Sequence, residues 1–149
     1  MTILFHSEDD LVEVRPNILL YGVTDFEAQM QKSEDIINRV LESRWYRAKA
    51  TDQKINFEST VFDPALLLNA DGQLKTLAVY KSLQLIYLHL MKETPEEDGF
   101  ERQMGTFKKL YAEELAEVLA SGLDYDWDDS GTIEAGENIQ PQIRRLQRV

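Results

Sequence analysis

Apolar residues recur along much of this chain at intervals of three and four, the period of an amphipathic helix. The clearest case covers residues 95–122. There Phe100, Met104, Phe107, Tyr111, Leu115 and Val118 step by four, three, four, four and three, and Gly122 marks the end. Pro95 occupies the first helical position, and Glu96 and Glu97 place acids where the helix dipole favours them. The preceding segment, Gln73 to Glu93, carries Leu74, Leu77, Ala78, Leu85, Ile86, Leu88 and Leu90 around most of its circumference. That pattern predicts a helix buried on more than one side. With a turn at Thr94–Pro95–Glu96–Glu97, the pair reads as an antiparallel helical hairpin.

Upstream signals are weaker. Ser7 as N-cap with Asp10 three residues on predicts a short helix that Pro16 stops, followed by an apolar connector over 16–23. After Thr24, the residues Phe26, Met30, Ile36, Ile37, Val40, Leu41 and Trp45 predict a helix over 25–49 whose apolar face thins between Gln29 and Asp35. Ile55, Phe57 and Val61 alternate with polar residues, as in an extended segment or one short strand. Asp63–Pro64 predicts the start of a one- or two-turn helix bearing Leu66, Leu67 and Leu68, ended by a turn at Asn69–Ala70–Asp71–Gly72. The expectation is an all-α protein: a small helical bundle built on a long helical hairpin, with an acidic loop and an extended C-terminal arm. Its parts are a helical body over 1–123, an acidic EF-hand-like loop over 124–137 and a basic docking arm over 138–149.

Composition narrows the chemistry. The 149 residues suit one domain. Cysteine is absent, which removes disulfides, thiolate metal sites and cysteine nucleophiles. A net charge of −11 argues against a free-standing nucleic-acid binder. Lys75, Lys81, Gln84 and His89 interrupt the most apolar stretch, Leu74 to Met91, so no bilayer span is expected. The first ten residues lack the basic and apolar regions of a signal peptide, and manufacture in the cytoplasm is expected.

Catalysis is not expected. The 27 carboxylates include no distinguishable acid–base pair. Of the two histidines, His89 falls in a helix expected to be largely buried, and His6 falls at an end expected to be mobile, so no serine–histidine pair is foreseen. No glycine-rich phosphate loop occurs. Tyr80, Tyr87, Phe100, Phe107 and Tyr111 lie at helical spacing and are expected in the core.

One stretch has metal-ligand spacing. With Gly131 as the sharp-turn glycine of a calcium loop, Asp126, Asp128 and Ser130 take positions one, three and five. Thr132 supplies a carbonyl at seven, Glu134 stands at nine and Glu137 is the bidentate twelfth residue. Calcium is therefore a possible ligand, and no cofactor is required. Pro141 would break an exiting helix, and no second loop exists to pair with this one. A solvated acidic turn is the plainer alternative. Beyond Glu137 the chain has no acid. Arg144, Arg145 and Arg148 mix with Ile139, Ile143, Leu146 and Val149, a composition suited to docking on an acidic groove of a partner.

Three segments carry a resemblance: Arg44–Trp45–Tyr46, the run Leu77–Ala78–Val79–Tyr80–Lys81–Ser82–Leu83–Gln84–Leu85–Ile86–Tyr87, and Phe107–Lys108–Lys109–Leu110–Tyr111–Ala112–Glu113–Glu114–Leu115. Together with an acidic glycine-containing loop and arginine-rich last residues, they resemble the head–tail connector (adaptor or neck) proteins of tailed bacteriophages, over residues 24–149. The resemblance implies a structural virion protein at the neck between capsid and tail. Such proteins form a homo-oligomeric ring, of about twelve subunits, beneath the portal protein, with a tail or neck protein below. DNA passes through the ring without sequence-specific binding. Residues 138–149 would be the portal-docking arm, with Arg144, Arg145 and Arg148 on acidic portal groups. Residues 73–121 would build the ring. Trp45, beside Arg44 and Arg47, would either meet a neighbouring subunit or cap its helix against the core. Trp127 and the complete twelve-residue loop depart from the pattern, and they leave an alternative: a calcium-responsive protein-binding module with a single EF-hand-like loop.

Overall fold

Helices α1 (Glu8–Val14), α2 (Glu27–Leu41), α3 (Arg47–Asp52), α4 (Ala70–Glu93) and α5 (Asp98–Ser121) dominate a computed structural model of the chain. The model describes residues 3, 5–18, 26–93 and 98–127. The architecture is an all-α bundle built on the α4–α5 hairpin. Tyr87 stacks on Phe107 at 5.9 Å and 3°, and it meets Phe100 at 6.2 Å, so the two helices run antiparallel. α2 covers a second side of α4, and α1 packs on it as well. This explains the apolar circumference of α4, where Leu74, Leu77, Ala78, Val79, Leu83, Ile86, Tyr87 and Leu90 are all buried. Gly122 closes α5 at a φ of 81°, a left-handed conformation that glycine adopts freely, with its N–H donating to the Val118 carbonyl at 3.0 Å.

The first helix has the expected cap. The Asp10 carboxylate accepts from the Ser7 N–H at 2.8 Å, and Lys75 Nζ lies 3.4 Å from its other oxygen, tying α1 to α4. Burial alone would raise the Asp10 carboxyl, but the hydrogen bonds from Ser7 and the Lys75 charge bring it below its usual value. Arg15 donates to the Gln103 side chain and lies over the Phe107 ring at 5.4 Å. These contacts hold the exit of α1 on α5.

α2 does not stop at 49. It passes through a π turn over Glu42–Tyr46 and continues as α3 to Asp52. The surplus residue of that turn lets Trp45 and Tyr46, neighbours in sequence, both face the interior.

Three local expectations are corrected. Among the described residues no strand forms over 50–62. Asn56 instead nucleates turns, its Oδ1 accepting from the Glu58 N–H at 3.0 Å and its carbonyl from the Thr60 N–H at 2.8 Å. Val61 is exposed, while Ile55 and Phe57 pack partly against the core. The helix after Asp63 is a single 3₁₀ turn, Pro64–Leu66, in which Asp63 Oδ1 accepts from the Ala65 N–H at 3.0 Å. Asn69–Gly72 opens α4 rather than ending a helix, with the Gln73 N–H donating to the Asn69 carbonyl at 2.9 Å. The Asn69 side-chain amide lies where a Cβ at residue 72 would sit, which is why glycine stands there.

The connector beyond Ile18, the Thr24–Asp25 start and the turn containing Pro95 lie outside the described residues. No helix among the described residues is long and apolar enough to cross a membrane.

Candidate functional site

The described chain leaves α5 along the end of the bundle. Leu123 is fully buried, and the Asp124 N–H donates to Gln73 Oε1 at 2.9 Å. A short antiparallel bridge joins Leu67 and Tyr125. The Leu68 N–H donates to the Asp124 carbonyl and the Asp126 N–H to the Leu66 carbonyl, both at 2.9 Å. Residues 124–127, expected as the start of a loop, thus pack into the body.

Aromatic rings complete this clamp. Tyr46 stacks on Trp127 at 5.4 Å and 10°, Phe62 on Tyr125 at 5.6 Å and 25°, and Tyr125 meets the edge of Trp127 at 4.7 Å. Trp45, only 2% exposed, joins the same cluster, so of its two expected roles the core contact is the observed one. The Tyr125 hydroxyl accepts from the Asp63 N–H at 3.1 Å. Burial pushes its pKa up to about 12, the Asp63 hydrogen bond opposing and the Asp63 and Asp126 charges adding to the shift. Burial, with the Glu42 charge, also raises Tyr46, whose hydroxyl donates to the Thr60 carbonyl at 2.5 Å.

Of the six candidate metal ligands only Asp126 is described. It is buried, with its backbone fixed to Leu66. Asp128, Ser130, Thr132, Glu134 and Glu137 lie outside the described residues, as do the arm residues Ile139, Ile143, Arg144, Arg145, Leu146, Arg148 and Val149. Among the described residues, no three or more histidine and carboxylate side chains gather where they could hold an ion.

A second constellation was not foreseen. His6 is not at a mobile end: its imidazole is buried, with Nδ1 at 2.8 Å from Glu34 Oε2 and Nε2 at 2.6 Å from Ser82 Oγ. Glu34 Oε2 also accepts from the Phe5 N–H at 3.0 Å. Ser82 Oγ lies 2.8 Å from Ser33 Oγ, and the Ser33 hydroxyl donates to the Met30 carbonyl at 3.0 Å. Proton counting orients the chain. Ser33 spends its only hydrogen on Met30, so Ser82 donates to Ser33 and His6 Nε2–H donates to Ser82. One further proton lies between Nδ1 and the carboxylate, which leaves the His6–Glu34 pair neutral as a whole. His89, expected to be buried, is exposed on α4.

Serine, imidazole and carboxylate stand here in the order of a nucleophile, its base and the group that orients the base. The arrangement is sealed, however. Ser82 is fully buried, and the His6 and Glu34 side chains are 0% and 3% exposed. A substrate would have to lift the segment around Phe5, and that segment carries the base away with it. What the geometry can do is clasp the N-terminal segment to α2 and α4. The sequence held one signal for it, the thin apolar face between Gln29 and Asp35, because Ser33 and Glu34 point inward. The clamp also had a signal, the alternation Leu123, Tyr125, Trp127 of a half-buried extended segment. Compared with known proteins, the chain matches no family model, no curated protein and no solved structure.

Proposed function

We propose that this chain is a structural adaptor that acts by assembly: a head–tail connector of a tailed-phage virion. In this reading copies form a ring between portal and tail, the ring continues the DNA channel, and residues 138–149 attach each copy to the portal. The observation that carries the reading is the clamped exit of the chain at Trp127, whose ring stacks on Tyr46 and meets Tyr125. A docking arm that starts from a fixed point has less freedom to lose on binding than one that starts from a frayed helix end. On the arm, Ile143, Leu146 and Val149 bury apolar surface, and Arg144, Arg145 and Arg148 pair with acidic groups of the portal. The sealed His6–Ser82 pair supports a non-enzymatic role, since access to it removes its base.

The test is deletion of residues 138–149. Helicity by circular dichroism stays at the wild-type level, and pull-down of the portal is lost. Retention of the portal at wild-type strength refutes the reading. The calcium-responsive alternative draws support from the fixed backbone of Asp126, which would transmit ion binding in the loop to the bundle. Calorimetry separates the two. The adaptor reading expects no heat and no change in helicity at millimolar calcium, whereas tight binding with a large helical change would put the module first.

A further inference from the structure

On a chain of net charge −11, one cleft is basic. It encloses about 200 Å³ between the first turns of α2 and the last turns of α4. Its floor is apolar, formed by Leu85, Leu88 and Ala28, and its rim carries Lys32, His89 and Lys92. No carboxylate lines it among the described residues. Gln29 Oε1, in the wall, is buried and has no hydrogen-bond donor. The cleft therefore offers an apolar seat, positive charge and one acceptor that calls for an N–H. An acidic peptide segment with an aliphatic side chain at its centre has the matching chemistry.

The chain contains such a segment. Residues 128–137 hold Asp128, Asp129, Glu134 and Glu137 around Ile133, with no basic residue. Distance argues against its own cleft. Asp124 is held beside Gln73 at the start of α4, whereas Leu85–Lys92 lies roughly 18–28 Å further along the helix at about 1.5 Å per residue. Ile133 follows Trp127 by a span of at most about 20 Å, even fully extended. A second copy has no such tether.

We propose that this cleft receives residues 128–137 of a second copy of the chain. Ile133 rests on Leu85 and Leu88, the carboxylates face Lys32, His89 and Lys92, and a backbone N–H of the segment meets Gln29 Oε1. The two surfaces differ, so the contact is head to tail, the kind that closes into a ring when the rotation permits. The inference rests on the ring reading above but not on the docking of the arm.

The experiment mixes isotope-labelled and unlabelled full-length chains, couples amines to carboxylates with a zero-length carbodiimide and maps the links. Sedimentation equilibrium of the same samples gives the affinity. Expected are links between copies joining Lys32 or Lys92 to residues 128–137. In the variant K32E/K92E, checked for wild-type helicity, self-association weakens at least about tenfold. Mixing that variant with D129K/E134K restores it. Links within one chain only, no self-association, or association unchanged in K32E/K92E overturns the proposal. None of these results bears on portal pull-down by residues 138–149, so the two readings fail separately.

Discussion

Replacing Glu34 with alanine removes one acceptor that serves two buried donors, the Phe5 N–H at 3.0 Å and His6 Nδ1 at 2.8 Å. Each donor left unpaired in the interior costs about 1–3 kcal/mol. Taking one partner from a buried charged pair costs about 3–5 kcal/mol in total. A loss of about 4 kcal/mol is therefore expected, against the roughly 5–15 kcal/mol that keeps a typical domain folded. At this length each kcal/mol moves Tm by about 2–4 °C, so Tm should fall by about 8–16 °C. Urea denaturation measures the change, with Trp45 and Trp127 fluorescence following the aromatic end of the bundle and circular dichroism following the helices. Stability alone does not identify the clasp, so the decisive measurement is a double-mutant cycle between Glu34→Ala and His6→Ala. The two side chains touch, and a coupling of at least about 1 kcal/mol is expected. A cost for Glu34→Ala below about 1 kcal/mol, or additivity within about 0.5 kcal/mol, refutes the reasoning.

Other expectations follow from the same packing. Tyr125 is raised from 10.0 to about 12, so the folded state keeps a proton that the unfolded chain has lost. Its contribution is complete below pH 10 and disappears as pH rises toward 12. Tyr125→Phe should flatten the alkaline limb of a stability–pH curve, with Tyr46 and Tyr111, also raised by burial, keeping the remaining slope. An unchanged limb counts against the assignment. Trp127→Ala removes a stacked and an edge contact, at about 0.5–1.5 kcal/mol each beyond lost area. It should lower the urea midpoint by the equivalent of about 2 kcal/mol without reducing helicity. Leu83→Ala, at a fully buried position on α4, should cost about 2–5 kcal/mol in the same assay.

The hairpin was legible because both of its helices express burial directly in their residues. α5 buries a single stripe, which reads as period 3.6, and α4 is covered on several sides, which reads as a nearly continuous apolar surface. Hydrophobic patterning is blind where polar groups satisfy one another inside. Ser33 and Glu34 looked like a gap in the face of α2 because their partners, His6 and Ser82, lie far away in sequence. For the same reason His6 read as part of a loose end and not as the centre of a network. Alternation misled at Ile55–Val61, where turns at Asn56 and the lack of a pairing strand gave the apolar residues unequal burial. At Leu123–Trp127 alternation was sound, but the calcium-like spacing of the acids drew the boundary two residues before Tyr125, inside the packed segment.

The widened turn at Glu42–Tyr46 has a consequence for which positions in this chain tolerate a change in length. Removing one residue there would restore a regular helix and rephase everything up to Asp52. It would also swing the Tyr46 ring away from Trp127. Insertions near Asn56 would only lengthen an exposed connection. A single-residue deletion at the wide turn should therefore unseat the far end of the polypeptide, although the two sites are separated by most of the molecule's sequence.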